Sequence, residues 1–569
     1  MFGKTWKISE IKYKVIVERD VKIRISDGTE INADIFRPES DEKFPAIFGF
    51  HPYDQVAQTA PMRHSAFATL FFKEPGQEKG NAYIEAGEPE AFVRRGYVYV
   101  IANVRGTGKS GGKYPFLAPP EAQDGYEVIE WIARQPWCTG NVGMFGVSYF
   151  AFSQLFIAAL NPPHLKCLFA PWAATDLYRD FIYRGGILGH SFVRMWALGS
   201  LHNCRVEKTP QQQEEIDKIL QDGDIAGVPE LVQVLKNPNA GTNFLLAGIL
   251  LHPFDGPYWE ERRVKYEGIK IPSYIGACWG NYGLHLPGAF RSWENLRGPK
   301  KMIIGPPAYL DRPLYQLQYE SLRWFDHWLK GVDTGMMKEP PIKLFIMGTN
   351  EWKAANEWPM PEAKWTPFYL HENGLLHERL THSKEGFDSF EDSPWGRGSL
   401  EYCSPRLVEN TEVIGPIVLD LYASTTDREV FWFISLREVD SRGNERVLTR
   451  GWLRGTHRKV DPGRSKPWEP FHPHTKSEPL TPGDIYEFNI PIVPTGNLFK
   501  AGSMIKLKIS CTDDQPKNPL EMIAGGSLYR QAPSRVTVYH DEDHPSVLLL
   551  PITRGNILET FLSGGKPYL

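Results

Sequence analysis

One serine stands where the chain could concentrate chemistry. Ser148 lies in Gly143-Met144-Phe145-Gly146-Val147-Ser148-Tyr149-Phe150-Ala151, with an apolar stretch from Phe152 to Leu160 behind it. This pattern predicts a strand, a sharp turn and a helix, the setting in which a nucleophilic hydroxyl is lifted above a sheet edge. Gly146 lets the backbone pass close to its neighbours, and the start of the helix supplies free N–H groups. A hydroxyl so placed attacks a carbonyl when a neighbouring base takes its proton.

The elements that must position Ser148 alternate along the chain. Tyr13 to Arg37 alternates in polarity and is split by Ser26-Asp27-Gly28-Thr29, as a tight hairpin would be. Phe44 to Phe50 and Tyr97 to Ala102 read as short buried strands, and Asp124 to Arg134 as a helix by the spacing of Tyr126, Ile129, Trp131 and Ile132. Strands alternating with helices imply a parallel α/β sheet. From Asp176 to Gly248 the chain turns mostly helical, with Thr209-Pro210 opening one helix, and reads as a cap over the site. Lys270 to Cys278 and Lys300 to Ile304 restore buried strands, and Tyr319 to Lys330 forms an amphipathic helix ending at Gly331. Beyond Pro340 short strands recur between Gly, Pro and Asp turns, from Ile342–Met347 to Ser546–Pro551, as in a β-sandwich. The division is therefore an α/β core over 1–174 and 266–340, a helical cap over 175–265, and a β-sandwich over 341–569.

Composition narrows the function. With 64 basic and 68 acidic residues the net charge is −4, which argues against a nucleic-acid partner held by phosphate contacts. Aromatics at 13%, including 17 Trp, suit an apolar pocket. Six Cys lie far apart without zinc spacing, and no disulfide is indicated. The run Asn103-Val104-Arg105-Gly106-Thr107-Gly108-Lys109-Ser110 nearly matches a phosphate-binding P-loop. It has Asn103 where Gly is needed and continues into Gly111-Gly112 and not a helix, so nucleotide binding is rejected. Neither a signal-peptide stretch nor a membrane-length apolar run is seen, so a cytoplasmic protein with no membrane partner is expected. No metal or organic cofactor is implied. The expected partner is a small-molecule substrate, and a homo-oligomer is compatible with the sequence.

With these pieces placed, the chain resembles the family of cocaine esterase, α-amino-acid ester hydrolases and X-Pro dipeptidyl peptidases. Arg105-Gly106-Thr107-Gly108, Glu130-Trp131-Ile132-Ala133 with Gln135-Pro136-Trp137, and Gly140-Asn141-Val142-Gly143 leading into Ser148-Tyr149 are similar to its most specific stretch. Phe325-Asp326-His327-Trp328-Leu329-Lys330-Gly331 and Met347-Gly348-Thr349-Asn350-Glu351-Trp352 match its later signatures, while Ala151 stands where the family usually has Gly. The resemblance implies an α/β-hydrolase core, a helical cap and a carboxy-terminal jelly roll. It also implies that Ser148 attacks an ester or amide carbonyl, with the Tyr53 hydroxyl and the Tyr149 N–H holding the oxyanion.

The family's acid and base do not carry over. Cys278-Trp279-Gly280-Asn281 puts Asn281 at the Asp position, and Gly305-Pro306-Pro307-Ala308-Tyr309 puts Tyr309 at the His position. Tyr has a reference pKa of about 10 and starts as an acid; Asn can orient a partner but cannot stabilise an imidazolium by charge. Three other histidines are candidates for the base: His285, four residues after Asn281, His51 beside the Tyr53 loop, and His190 in the cap. Three readings follow. The first is a hydrolase-like enzyme acting on a carbonyl of a small apolar molecule through Ser148. The second is a non-hydrolytic cyclase, isomerase or lyase using Ser148, Tyr53 and Tyr309. The third is a catalytically dead binding protein. The intact Ser148 and Tyr53 segments favour the first two, and the family favours the first. No segment marks an amine-binding pocket, so X-Pro peptide hydrolysis is not expected.

Overall fold

The computed structural model describes residues 7–53, 83, 85–197, 201, 204–206, 210–237, 243–307, 315–380, 386–514 and 526–555. Strands β1 (Val15–Arg24) and β2 (Glu30–Pro38) pair antiparallel about the Ser26–Thr29 turn, where Gly28 takes φ 87°. β3 (Phe44–His51), β4 (Val98–Asn103), β5 (Cys138–Phe145), β6 (Leu165–Pro171), β7 (Ser273–Cys278) and β8 (Lys300–Gly305) follow. They lie in the order β1-β2-β4-β3-β5-β6-β7-β8, and from β4 to β8 every neighbouring pair is parallel. β3, β4 and β7 are buried along their whole length, as parallel strands covered on both faces must be. The cover comes from α1 (Pro119–Ala133), α2 (Tyr149–Ala158), α3 (Leu286–Asn295) and α4 (Tyr315–Lys330).

Ile342–Met347, expected to open the sandwich, belongs to the core sheet instead. β9 (Ile342–Ile346) runs parallel to β8, with Met302, Ile303 and Ile304 opposite Ile342, Lys343 and Leu344, and β10 (Glu351–Ala355) folds back against it. A short strand with alternating burial looks the same in either sheet, and only its partner decides where it belongs.

Between β6 and β7 the chain leaves the sheet for short helices, among them His190–Met195, Pro210–Ile219, Pro229–Lys236 and Asn243–Leu250. An ion-pair network ties this cap down. Asp180 holds Arg291 of α3, while Asp176 and Asp255 are shared by Arg179 and Arg263. Arg179 also donates to the carbonyls of His472 and Pro473 at 3.1 and 3.2 Å, so one guanidinium joins cap and carboxy-terminal domain.

The carboxy-terminal strands are drawn shut beyond a simple sandwich. The long strand Thr411–Thr425 pairs with Tyr486–Phe499 and also with Val547–Arg554. Following the pairings from strand to strand returns to the start, closing a ring of nine strands among the described residues. Met347, just past β9, fastens this ring to the core: its N–H donates to the Gly496 carbonyl at 3.0 Å, and Leu498 N–H donates to its carbonyl at 2.8 Å. No helix among the described residues is long and apolar enough to cross a membrane.

Candidate active site

The parallel strands β3, β5, β7 and β8 end on one edge of the sheet, where ligands of such sheets gather. Ser148 stands there between β5 and α2 with φ 58° and ψ −124°, a strained conformation that a non-glycine residue keeps only when its surroundings enforce it. The enforcement is local. Gly146 takes φ 139°, and a Cβ on it would come within 2.4 Å of Phe150 Cβ. Val147 N–H is anchored on the Glu85 carbonyl at 2.9 Å, and the Ser148 carbonyl accepts N–H groups from Ala151 and Phe152 at 2.8 and 2.9 Å. The helix thus starts immediately after the serine. Among the described residues nothing accepts the Tyr149 N–H, one of the orphan donors of a helix start.

Tyr53 lies two residues past β3 and is nearly buried. Its N–H donates to His51 Nδ1 at 3.2 Å, its carbonyl accepts from Asn103 Nδ2 at 2.7 Å, and its ring stands edge-on to Tyr149 at 6.0 Å. The same Asn103 fills the space beneath Gly108, where a Cβ would fall 2.4 Å from Asn103 Oδ1. The residue that spoils the P-loop pattern therefore holds the Tyr53 loop. His51 is fully buried and stacked on Phe150 at 4.6 Å, and burial pushes its pKa down to about 3. It is a neutral strut, which corrects its candidacy as a base. His190 is also set aside. Burial, and then Arg194, push its pKa down to about 4, and its other charged neighbours, Glu230, Arg184 and Asp513, place it at the contact of cap and carboxy-terminal domain.

The third histidine follows the end of β7, on the same edge of the sheet. After β7 the turn Trp279–Asn281 leads to His285 at the start of α3, and both polar side chains are buried. Asn281 Nδ2 lies 3.1 Å from His285 Nδ1, and the imidazole packs on Phe152 with centroids 5.7 Å apart, one helical turn from Ser148. An amide N–H pointing at Nδ1 requires the imidazole proton on Nε2. Turning the amide over puts Oδ1 on an Nδ1–H and leaves Nε2 a lone pair, the form a base needs. As oriented, Asn281 Oδ1 has no hydrogen-bond partner among the described residues, so the present orientation leaves an acceptor unused. The β7 and β8 loops touch: a Cβ on Gly280 would fall 2.3 Å from the Pro307 carbonyl. Tyr309 lies outside the described residues.

One group escaped the sequence reading. The Tyr149 hydroxyl is 2.8 Å from both oxygens of Glu121 and 2.9 Å from the Tyr114 hydroxyl, all buried. The signal for Glu121 was its place on the buried face of α1 with Gly125, Val128 and Ile132, where a carboxylate is out of pattern. The aromatic-rich cap expected from the sequence lays its rings beside this group. Phe181 and Trp196 meet Tyr149 and Phe152, on the helix that follows Ser148, at centroid distances of 6.1 to 6.3 Å. Among the described residues no group of three or more His, Cys, Asp or Glu is arranged to hold a metal.

Comparison with known proteins places these features in a common setting. The signature of the X-Pro dipeptidyl-peptidase (S15) family matches residues 27–309, and that of the X-Pro dipeptidyl-peptidase C-terminal non-catalytic domain matches residues 334–549. The chain is 28% identical to a Mycobacterium bovis protein provisionally named a serine esterase, over 93% of this chain and 94% of that one. It is 24% identical to cocaine esterase of Rhodococcus sp. (strain MB1 Bresler), over 95% of this chain and 99% of the other. In structure it is similar to a CocE/NonD family hydrolase from Staphylococcus aureus, with a TM-score of 0.78, 26% identity, and coverage of 95% and 94% of the two chains.

Proposed function

The chain belongs to the X-Pro dipeptidyl-peptidase (S15) family and is a serine hydrolase-like enzyme, and on that premise we propose that it cleaves an ester, amide or thioester of a small apolar molecule. Ser148 is the nucleophile, with the Tyr53 hydroxyl and the Tyr149 N–H as oxyanion donors. His285, oriented by Asn281, takes the place of the family's base. The observation that carries this reading is the strained Ser148 backbone at φ 58° and ψ −124°, which aims the hydroxyl off the sheet edge beside an unused N–H. The aromatic rings of Phe152, Phe181 and Trp196 support an apolar acyl group.

The test needs no substrate. A fluorophosphonate probe reports an activated serine, and mass spectrometry finds which residue it modifies. Rapid labelling of Ser148, absent in Ser148→Ala, is the expected result. No labelling of the well-folded protein overturns hydrolysis and transfers the reading to cyclisation, isomerisation or elimination steered by tyrosine hydroxyls, for which the loss of the acidic residue at Asn281 already speaks.

A further inference from the structure

Glu121 is a carboxyl group in an apolar place with an unusual pair of neighbours. Among the described residues its hydrogen-bond partners are the Tyr149 hydroxyl, 2.8 Å from both its oxygens, and the Leu117 N–H at 3.2 Å. The Tyr149 oxygen in turn lies 2.9 Å from the Tyr114 hydroxyl. Tyr53, whose ring stands edge-on to Tyr149 at 6.0 Å, is a further phenol beside this chain. The other titratable or charged groups facing Glu121 are Asp124, Arg105 and the Cys204 thiol, and Arg105 is itself held by Asp124 at 2.6 Å.

A carboxylate can only accept, whereas a protonated carboxyl can also donate, so the proton on Glu121 opens a second order of the hydroxyl chain. When Glu121 is ionised it accepts from Tyr149, Tyr149 accepts from Tyr114, and every O–H points toward Glu121. When Glu121 carries a proton it donates to Tyr149, Tyr149 donates to Tyr114, and the Tyr114 O–H turns outward on the side of Tyr53. We propose that Glu121 is a positioning residue of the oxyanion hole, its proton setting the direction of the Tyr149–Tyr114 hydroxyl chain and thereby the donor strength of Tyr53. The inference rests on the reading of Tyr53 as an oxyanion donor. Burial pushes the Glu121 pKa up to about 8, so the outward order holds near neutrality and reverses as the pH rises through that value. Burial likewise holds both phenols well above their usual range, so they remain hydrogen-bond donors throughout.

Glu121→Gln is the first variant, because its amide stays neutral at every pH: the nitrogen can donate to Tyr149 while the oxygen accepts from Leu117, so the chain no longer responds to pH. The rate of Ser148 labelling is expected to fall about tenfold in the wild type between about pH 7 and pH 9.5, the scale of one weakened oxyanion donor. In Glu121→Gln the alkaline fall is absent, and at neutral pH the rate stays within about twofold of wild type. Tyr114→Phe breaks the chain without touching the carboxyl and also abolishes the fall. An alkaline fall retained in both variants overturns the proposal. A second readout does not depend on the nucleophile. The ring carbon bearing the Tyr53 hydroxyl, labelled with carbon-13 and assigned through Tyr53→Phe, shifts with a midpoint near pH 8 in wild type and in Ser148→Ala, and stays still in Glu121→Gln. A resonance that does not move in wild type overturns the proposal whatever Ser148 does. A moving resonance with no labelling overturns only the hydrolase reading.

Discussion

The two halves of the active-site edge were built under different constraints. At the ends of β3 and β5, Tyr53 and Ser148 are fixed by backbone: a Gly146 with no room for a Cβ, a serine held at positive φ, and a loop carbonyl pinned by Asn103. At the ends of β7 and β8 the groups that would move protons are side chains on flexible choices of residue, Asn281 and His285 in contact, with Tyr309 beyond the described residues. Charge stabilisation by oriented N–H and O–H donors is a property of the fold's turns. Proton transfer is a property of single side chains, so a chain can change the second without rebuilding the first.

Substitutions break this contrast in order of size. Ser148→Ala, on the backbone-fixed side, is expected to lower turnover by about a thousandfold or more while the circular dichroism spectrum stays unchanged; activity near wild type removes Ser148 from the chemistry. Tyr53→Phe deletes the proposed oxyanion donor and should cost about a hundredfold to a thousandfold in kcat, with KM nearly constant. On the other side, His285→Ala is expected to slow Ser148 labelling about a hundredfold, the scale of a general base. An unchanged rate would show that the proton leaves by another route. Asn281→Asp moves the other way. A carboxylate accepting from His285 Nδ1–H fixes the tautomer and stabilises the imidazolium, so labelling should speed up by about tenfold or more.

The smallest effect is thermodynamic. A carboxyl whose pKa is about 4.5 unfolded and about 8 folded binds more protons in the folded chain across that window, so its contribution to stability declines as the pH rises from about 4.5 to about 8. Glu121→Gln removes this decline. Its melting temperature relative to wild type should therefore climb over the same interval, and parallel curves would show that Glu121 is already ionised at neutral pH. Buried His51 works at the other end: with a folded pKa near 3 it lets the unfolded chain protonate first, lowering stability as the pH falls below about 6.5.

What could be read in the sequence follows the same division. The Ser148 turn was legible because its determinants, Gly146 and the apolar run behind it, are neighbours in the chain. The order of core, cap and carboxy-terminal strands was legible because periodicity changes with each. The Asn281–His285 contact was within reach because four residues separate them. Glu121 was missed, since its partners Tyr149 and Tyr114 come from different elements and only folding brings three hydroxylic groups together. Ile342–Ile346 went to the wrong sheet for the same reason: its pairing with β8 is a long-range choice that five residues do not encode. His51 and His190 were offered as bases because a sequence shows a histidine's type but not its neighbours, Phe150 stacked on His51 and Arg194 beside His190.

The closed carboxy-terminal ring also has a schedule. Its last strand, Val547–Arg554, is the one that seals it, joining Thr411–Thr425 to Lys364–His371. On a ribosome adding about 5–20 residues per second, the strands from residue 364 onward wait on the order of ten seconds or more with open edges before the sealing strand arrives. The α/β core, whose last strand ends at Ala355, is by then fully synthesised. The nascent chain therefore passes through an interval in which a finished catalytic core carries an unsealed sheet, the moment when a chaperone or a second nascent chain has most to pair with.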